Sequence, residues 1–261
     1  MKVVILCGGK GTRLREETEY RPKPMVPIGG RPILWHIMKI FAHYGHREFI
    51  LCLGYKGEVI KEYFRNYFWN TCDVTLTLGR AAEIELHGGH GEEDWRVTLA
   101  DTGEESMTAY RVKAIRRYIP AGEEFMLTYG DGLGSIDINA LVANHRASGK
   151  VCTISAVHPS GRFGALRIDD DGSIHSFAEK PQFEDAHVNG GFMVCNPAIF
   201  NYLPDDPSVM LELKPMDNLV RDRQLNAYRH DGFWQPMDTY AETQHLNRLW
   251  ERGDAPWKVW K

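Results

Sequence analysis

No stretch of this chain approaches the roughly 20 consecutive apolar residues that a membrane-crossing helix needs, so no membrane role is expected. Charge of one sign is not in excess either. Against 35 Asp and Glu stand 31 Lys and Arg, a formal charge of −4 that gives bulk nucleic-acid binding no electrostatic footing, though it allows a local basic pocket. Cysteine is sparse and odd in number. Cys7, Cys52, Cys72, Cys152 and Cys195 show no C-x-x-C spacing and mostly sit in apolar strand-like runs, which predicts buried free thiols in a reducing compartment. There is no repeat, no low-complexity tract and no linker, and Met1-Lys2 runs straight into an apolar strand, so a cytoplasmic protein without a leader is expected. At 43% hydrophobic and 25% charged residues, 261 residues are enough for one substantial core.

What the chain does have is glycine where a strand ends. Val3-Val4-Ile5-Leu6 reads as a buried strand, and Cys7-Gly8-Gly9-Lys10-Gly11-Thr12-Arg13-Leu14 follows at once. Gly8, Gly9 and Gly11 allow close approach of backbone N–H groups to an anion, and Lys10, Arg13 and Lys23 add positive charge. Pro22 and Pro24 restrict the backbone on both sides of Lys23 and so help to aim a long side chain.

Periodicity predicts a helix over 32–44, a strand at Glu48–Leu53, a helix over 57–67 and a strand at Val74–Leu78. That βαβαβ opening implies a parallel sheet with its glycine loop at the carboxyl edge. Glu83–His87 and Trp95–Leu99, joined by Gly88-Gly89-His90-Gly91, read as a hairpin. Further strands are expected at Phe125–Tyr129, Val151–Val157, Gly164–Ile168, Ile174–Ala178, Val188–Cys195 and Leu225–Arg229. Helices are expected over 109–118, 138–146, 198–203, 208–222 and 240–252. The whole predicts one doubly wound, Rossmann-like α/β domain with a mostly parallel sheet, β-hairpin excursions and a small C-terminal helical extension. Trp250, Trp257 and Trp260 crowd that extension and could fold back on the domain or anchor an interface.

Two glycine fingerprints are excluded. After Gly9-x-Gly11 the next required glycine is Leu14, against a dinucleotide site, and Gly54 ends the second strand where an acidic residue would meet a ribose. A P-loop is absent as well. The order Gly8-Gly9-x-Gly11-Thr12-Arg13-Leu14, then Pro22-Lys23-Pro24, resembles the signature of sugar-phosphate nucleotidyltransferases. The resemblance spans essentially the whole chain and, within that superfamily, leans to the glucose-1-phosphate cytidylyltransferase family. It rests on Gly54-Tyr55-Lys56-Gly57, Thr128-Tyr129-Gly130-Asp131-Gly132, Gly161-Arg162-Phe163-Gly164, Glu179-Lys180-Pro181, Asn189-Gly190-Gly191-Phe192 and Gln235-Pro236-Met237-Asp238-Thr239.

The resemblance implies CTP and a sugar 1-phosphate as substrates, Mg²⁺ as cofactor, and a homo-oligomer, often a hexamer. It implies a nucleotide-binding half (1–132), a sugar-phosphate half (133–240) and a C-terminal helix and tail (241–261). Arg13, Lys23 and Asp131 carry catalysis on this reading. Leu6, Gly8, Gly9, Gly11, Thr12, Arg13, Lys23, Ser106, Arg111 and Gly130 hold the nucleotide; Glu179, Lys180, Asn189 and Gly191 hold the sugar phosphate; Asp131 and Asp238 hold the metal. Taken without the family, Asp131 could cap a turn and Asp238 could cap the helix that follows it. His87, His90, Glu92 and Glu93 admit a zinc reading but sit in a glycine-rich turn, and Cys7 is either a reactive thiol or a packing residue.

Two segments depart from the family pattern. Met107-Thr108-Ala109-Tyr110-Arg111 has Ala-Tyr where Gly-Gly is usual, which would bear on base or sugar choice. Glu212-Leu213-Lys214-Pro215-Met216 has a lysine where a second glutamate is usual, which would bear on the sugar pocket or subunit packing. A non-catalytic binding module on the same fold would be expected to have lost Arg13, Lys23 or a carboxylate, and none is missing.

Overall fold

The computed structural model describes residues 1–79, 83–88, 94–159, 165–168, 174–178 and 187–260. Its first half runs β1 (Lys2–Leu6), α1 (Ile33–His43), β2 (Glu48–Leu53), α2 (Gly57–Arg65), β3 (Asp73–Thr77), β4 (Glu83–His87), β5 (Arg96–Asp101), α3 (Thr108–Ala114), β6 (Phe125–Tyr129) and β7 (Gly132–Gly134). The second half follows with α4 (Ile138–Ser148), β8 (Cys152–Val157), β9 (Ala165–Ile168), β10 (Ile174–Ala178), β11 (Val188–Cys195), α5 (Lys214–Arg221), β12 (Leu225–His230), β13 (Trp234–Pro236) and α6 (Tyr240–Glu251).

The main sheet has the order β12-β8-β11-β6-β1-β2-β5. Every neighbouring pair in it is parallel except the two that β11 makes, with β8 and with β6, so the mostly parallel expectation holds with one reversed strand. Alternation along β1 explains how the sheet is covered. Val3 and Ile5 face one side and pack with Ile33, Ile37 and Phe41 of α1, while Val4 and Leu6 face the other with Ala109 and Val112 of α3. Both layers are fully buried at these positions, as a doubly wound sheet requires.

Strand assignment in the middle needs correction. The run at 74–78 does not enter the main sheet; β3 pairs with β4 in a separate ribbon, Val74 opposite Leu86 and Leu76 opposite Ile84. The third parallel strand on that side is β5, paired with β2, so 83–87 and 95–99 are not one hairpin. The physical cause is local degeneracy: Val74 and Leu76 alternate with Thr75 and Thr77 as they would on a half-buried edge strand. The helix expected over 208–222 begins only at Lys214.

The tail folds back. Trp257 is fully buried beside His36, Phe233 and Trp250, and Trp260 stands edge-on to Trp35. Trp257 is thereby packed within its own domain, while Trp250 and Trp260 are half-buried. The five cysteines are free thiols, and Cys7, Cys52, Cys152 and Cys195 are buried, as expected.

Candidate active site

The strand order reverses at β1. The chain leaves β1 toward β2 and β5 on one side, then returns to β6 on the other, which makes the carboxyl end of β1 the switch point where such sheets bind ligands. The glycine loop lies there. Its Gly8 carbonyl accepts from Tyr55 N–H at 3.2 Å and from Arg111 Nη2 at 2.9 Å, and its Gly11 carbonyl accepts from Leu14 N–H at 3.0 Å. With those carbonyls turned toward the protein, the Gly9 and Thr12 N–H groups, trans across the same peptides, turn the other way.

A cavity of about 310 Å³ opens beside the loop. Leu6, Gly8, Gly9, Gly11, Thr12, Arg13, Lys23, Ser106, Arg111, Gly130, Asp131 and Asp238 all line it, so the tertiary structure brings the expected nucleotide and metal residues into one space. Asn189 and Gly191 stand at its side, next to the lining residue Tyr129. Gly191 has φ +84°, and a Cβ there would come within 2.7 Å of the Tyr129 ring, so both its turn and its contact exclude a side chain. Its N–H donates to Asn189 Oδ1 at 2.9 Å. Glu179 and Lys180, with the Gly161–Gly164 motif and with His90, Glu92 and Glu93, lie outside the described residues.

The charged centre is built by a small ribbon. β7 pairs with β13, Gly132 opposite Pro236, and Met237 N–H donates to the Asp131 carbonyl at 2.8 Å. Asp131 and Asp238, 107 positions apart in the sequence, are thereby brought together. The cap of α6 is Thr239, in a reciprocal capping box with Glu242, rather than Asp238. Glu242 also accepts from the Asp238 N–H at 2.8 Å, which leaves the Asp238 carboxylate facing the cavity. Lys23 Nζ donates to Asp131 Oδ2 at 2.7 Å and to Asp238 Oδ1 at 2.6 Å, and Arg13 Nη1 donates to Asp238 Oδ2 at 2.8 Å. Neither aspartate is merely a local cap.

Burial by itself would lower the Lys23 pKa, but the Asp131 and Asp238 carboxylates outweigh it and hold the ammonium above the usual lysine range. The proline frame is realised as a 3₁₀ turn, Lys23–Met25, entered from an extended Pro22. Lys10 is paired with Glu105 at 2.8 Å, and neither residue lines the cavity.

Arg111 has a different geometry from that expected of a ligand-facing side chain. The residue is 3% exposed, and its guanidinium donates to the carbonyls of Leu53 (3.0 Å), Gly103 (2.8 Å), Gly8 (2.9 Å) and Glu104 (3.1 Å) and to Thr102 Oγ1 (2.9 Å). It clamps three loops together where it forms part of the cavity wall. A Cβ on Gly8 or on Gly54 would overlap that guanidinium, which explains glycine at both strand ends without reference to phosphate. Cys7 also lines the cavity but is buried, and burial pushes its thiol well up from the usual range, which identifies it as a packing residue.

Sequence reasoning missed Tyr129, Thr108 and Glu212. Tyr129 and Thr108 line the cavity, and both hydroxyls donate to the Glu212 carboxylate, Thr108 at 2.7 Å. All three sat in quoted segments, but nothing in the sequence joins Glu212 to Tyr129, 83 positions away. Of the departures from the family pattern, Ala109 is fully buried behind the wall and Lys214 is exposed at the start of α5; neither lines the cavity.

A glycine loop, two tethered cations and two converging carboxylates thus share one cavity at the switch point of the sheet. The chain belongs to the nucleotidyl transferase family, whose model matches residues 2–236. Within that family it groups with the glucose-1-phosphate cytidylyltransferases: it is 50% identical over 262 residues to that enzyme of Salmonella typhi, covering all of both chains. It is 46% identical over 260 residues to the probable glucose-1-phosphate cytidylyltransferase of Bacillus subtilis (strain 168), again covering all of both. Among solved structures, HddC from Yersinia pseudotuberculosis shares the fold, with a TM-score of 0.67 at 23% identity over 95% of this chain and 99% of that one.

Proposed function

We propose that this protein transfers the cytidylyl group of CTP to α-D-glucose 1-phosphate, giving CDP-glucose and pyrophosphate. The observation that carries the proposal is the Lys23 ammonium lying between Asp131 and Asp238 at the mouth of the glycine loop, in a chain that matches cytidylyltransferases over its full length.

The acceptor phosphate is already ionised at neutral pH, so its oxygen attacks the α-phosphorus without a general base or covalent nucleophile. In-line positioning and relief of charge are what the site must supply. On this reading the Gly9 and Thr12 amides hold the triphosphate, Arg13 meets the departing oxygens and Lys23 meets the α-phosphate. Among the described residues both cations are tethered only through carboxylates, and the Arg13 side chain is 70% exposed, so each can turn to phosphate without breaking a backbone contact shown there. Ser106 and Gly130 line the place for base and ribose, while Arg111 acts by fixing the loops around it.

Nucleotidyl transferases generally use a divalent metal. Two aspartates that converge on one cation position offer the hard oxygen donors that Mg²⁺ prefers, so the residues present fit it. Asp131 and Asp238 would hold Mg²⁺, which when bound neutralises the triphosphate and eases pyrophosphate departure. Glu179, Lys180, Asn189 and Gly191 complete the proposal as the sugar-phosphate side.

A cytoplasmic homo-oligomer is part of the same reading. No helix among the described residues is long and apolar enough to cross a membrane. The ribbon of β3 and β4 leaves Leu76, Ile84 and Leu86 exposed on one face, a surface suited to another subunit.

The test is a matrix of CTP, UTP and dTTP against glucose 1-phosphate and other sugar 1-phosphates with Mg²⁺, followed by pyrophosphate release. CTP with glucose 1-phosphate should give the highest kcat/KM. Activity with UTP or dTTP well above CTP would overturn the cytidylyl assignment, and CTP binding without pyrophosphate release from any acceptor would favour a binding module instead.

A further inference from the structure

A second convergence of chemistry lies away from the cavity, at the β12-β8-β11 end of the sheet. β8 pairs with β11 so that Val157 stands opposite Val188, and with β12 so that Val157 stands opposite His230. His158, His187 and Asp231 each lie one position beyond these last paired residues, just outside the three strands.

They come closer than register alone requires. Strands two apart are separated by about 9.6 Å at the usual 4.8 Å spacing. Yet one nitrogen or oxygen from each of His158, His187 and Asp231 lies within 4.8 Å of the others. His158 Nε2 is 3.2 Å from Asp231 Oδ1, and the two imidazole centroids are 4.3 Å apart. An ion pair joins His158 to Asp231, and a ring contact joins His187 to His158, so the three donor groups meet at one point.

Two imidazoles and one carboxylate are a mixed nitrogen and oxygen donor set. Such a set suits first-row transition ions, Zn²⁺ in particular, and not Mg²⁺, which prefers oxygen throughout. We propose that His158, His187 and Asp231 form a three-ligand site for a divalent transition ion, separate from Asp131 and Asp238, that ties the ends of three strands together. A fourth position stays open to water. His187 lies two residues before Asn189, so the ion would also steady the strand from which the proposed sugar side extends.

The full chain, stripped of metal by chelation, would be titrated with Zn²⁺ by calorimetry and with Co²⁺ by visible absorption. Wild type should bind one equivalent through this site, show the absorption bands of a low-coordinate cobalt ion, and melt at a higher temperature with Zn²⁺ than without. Loss of an outer-shell partner typically weakens metal binding about 10- to 100-fold, so loss of a ligand in His187→Ala should weaken it at least tenfold. Asp231→Asn should weaken it as well. Asp131→Asn with Asp238→Asn should leave this equivalent in place.

His187 and Asp231 are exposed, so these variants are expected to keep the wild-type melting temperature in the absence of metal. His158→Ala is a further arm wherever it folds. Unchanged Zn²⁺ affinity in His187→Ala, a cobalt spectrum no different from the aqueous ion, or loss of the equivalent only in the Asp131 and Asp238 variant would each overturn the proposal.

Discussion

Replacing Arg111 by lysine tests whether this residue is a clamp or a ligand-facing group. The guanidinium makes five hydrogen bonds, to Leu53, Thr102, Gly103, Gly8 and Glu104. An ammonium has three donors and no fork, so at least two of these bonds are lost, although the Leu53 and Gly8 carbonyls keep the Thr102 and Tyr55 N–H groups as donors. A hydrogen bond from a charged donor contributes about 1.5–3 kcal/mol. Gly103 and Glu104 are exposed residues whose carbonyls water can partly serve, so the lower part of that range applies to them. Arg111→Lys should therefore lose about 2–4 kcal/mol of unfolding free energy. Equilibrium urea denaturation at pH 7 would show this as a lower midpoint with an unchanged slope. The loss should persist without any nucleotide, because the acceptors belong to the protein. A variant within about 0.5 kcal/mol of wild type, the range of ordinary surface substitutions, that only raised KM for the nucleotide would refute the clamp and restore a direct contact.

The charged centre gives a second test. Lys23→Met and Asp238→Asn should each lower kcat by about 100-fold or more, read as pyrophosphate release, and near-normal turnover in either would remove the roles assigned to them. Buried His36, whose Nε2–H donates to the Ile28 carbonyl at 2.8 Å, supplies a pH dependence. Burial, above all, pushes its pKa down to about 4 from 6.5. The unfolded chain thus takes up a proton that the folded chain refuses, so stability is intact above pH 6.5 and falls as pH drops toward 4, by up to about 3 kcal/mol. Urea midpoints at pH 7 and pH 4.5 should differ less in His36→Gln than in wild type. Trp257→Ala, which empties a fully buried site, should cost about 3–5 kcal/mol by the same denaturation assay. Gly54→Ala should destabilise too, because its new Cβ would overlap the Arg111 guanidinium, and a melting temperature equal to wild type would contradict that packing.

How much of this was legible before any coordinates depended on the range of the signal. The glycine loop after β1, the proline frame of Lys23 and the strand end before Asp131 are written in a few adjacent residues, and they reappear where expected. The run at 74–78 misled because a ribbon strand and a sheet strand share the same two-residue alternation; only the partner, β4 rather than β2, separates them. The tryptophans of the tail announced aromatic packing but not its direction, which Trp257 settles by burial against its own domain.

By itself, then, the sequence determined a doubly wound domain with a phosphate-binding loop, because period, turn chemistry and motif order act locally along the chain. Tertiary structure alone decided which charges meet. Asp131 and Asp238 converge on Lys23 because the β7–β13 ribbon pairs their neighbours, and Arg111 is drawn into five bonds because three loop ends meet at one buried point. An arginine in a string of letters carries the same charge whether it faces a ligand or a carbonyl; the surrounding acceptors, which only folding assembles, choose between them.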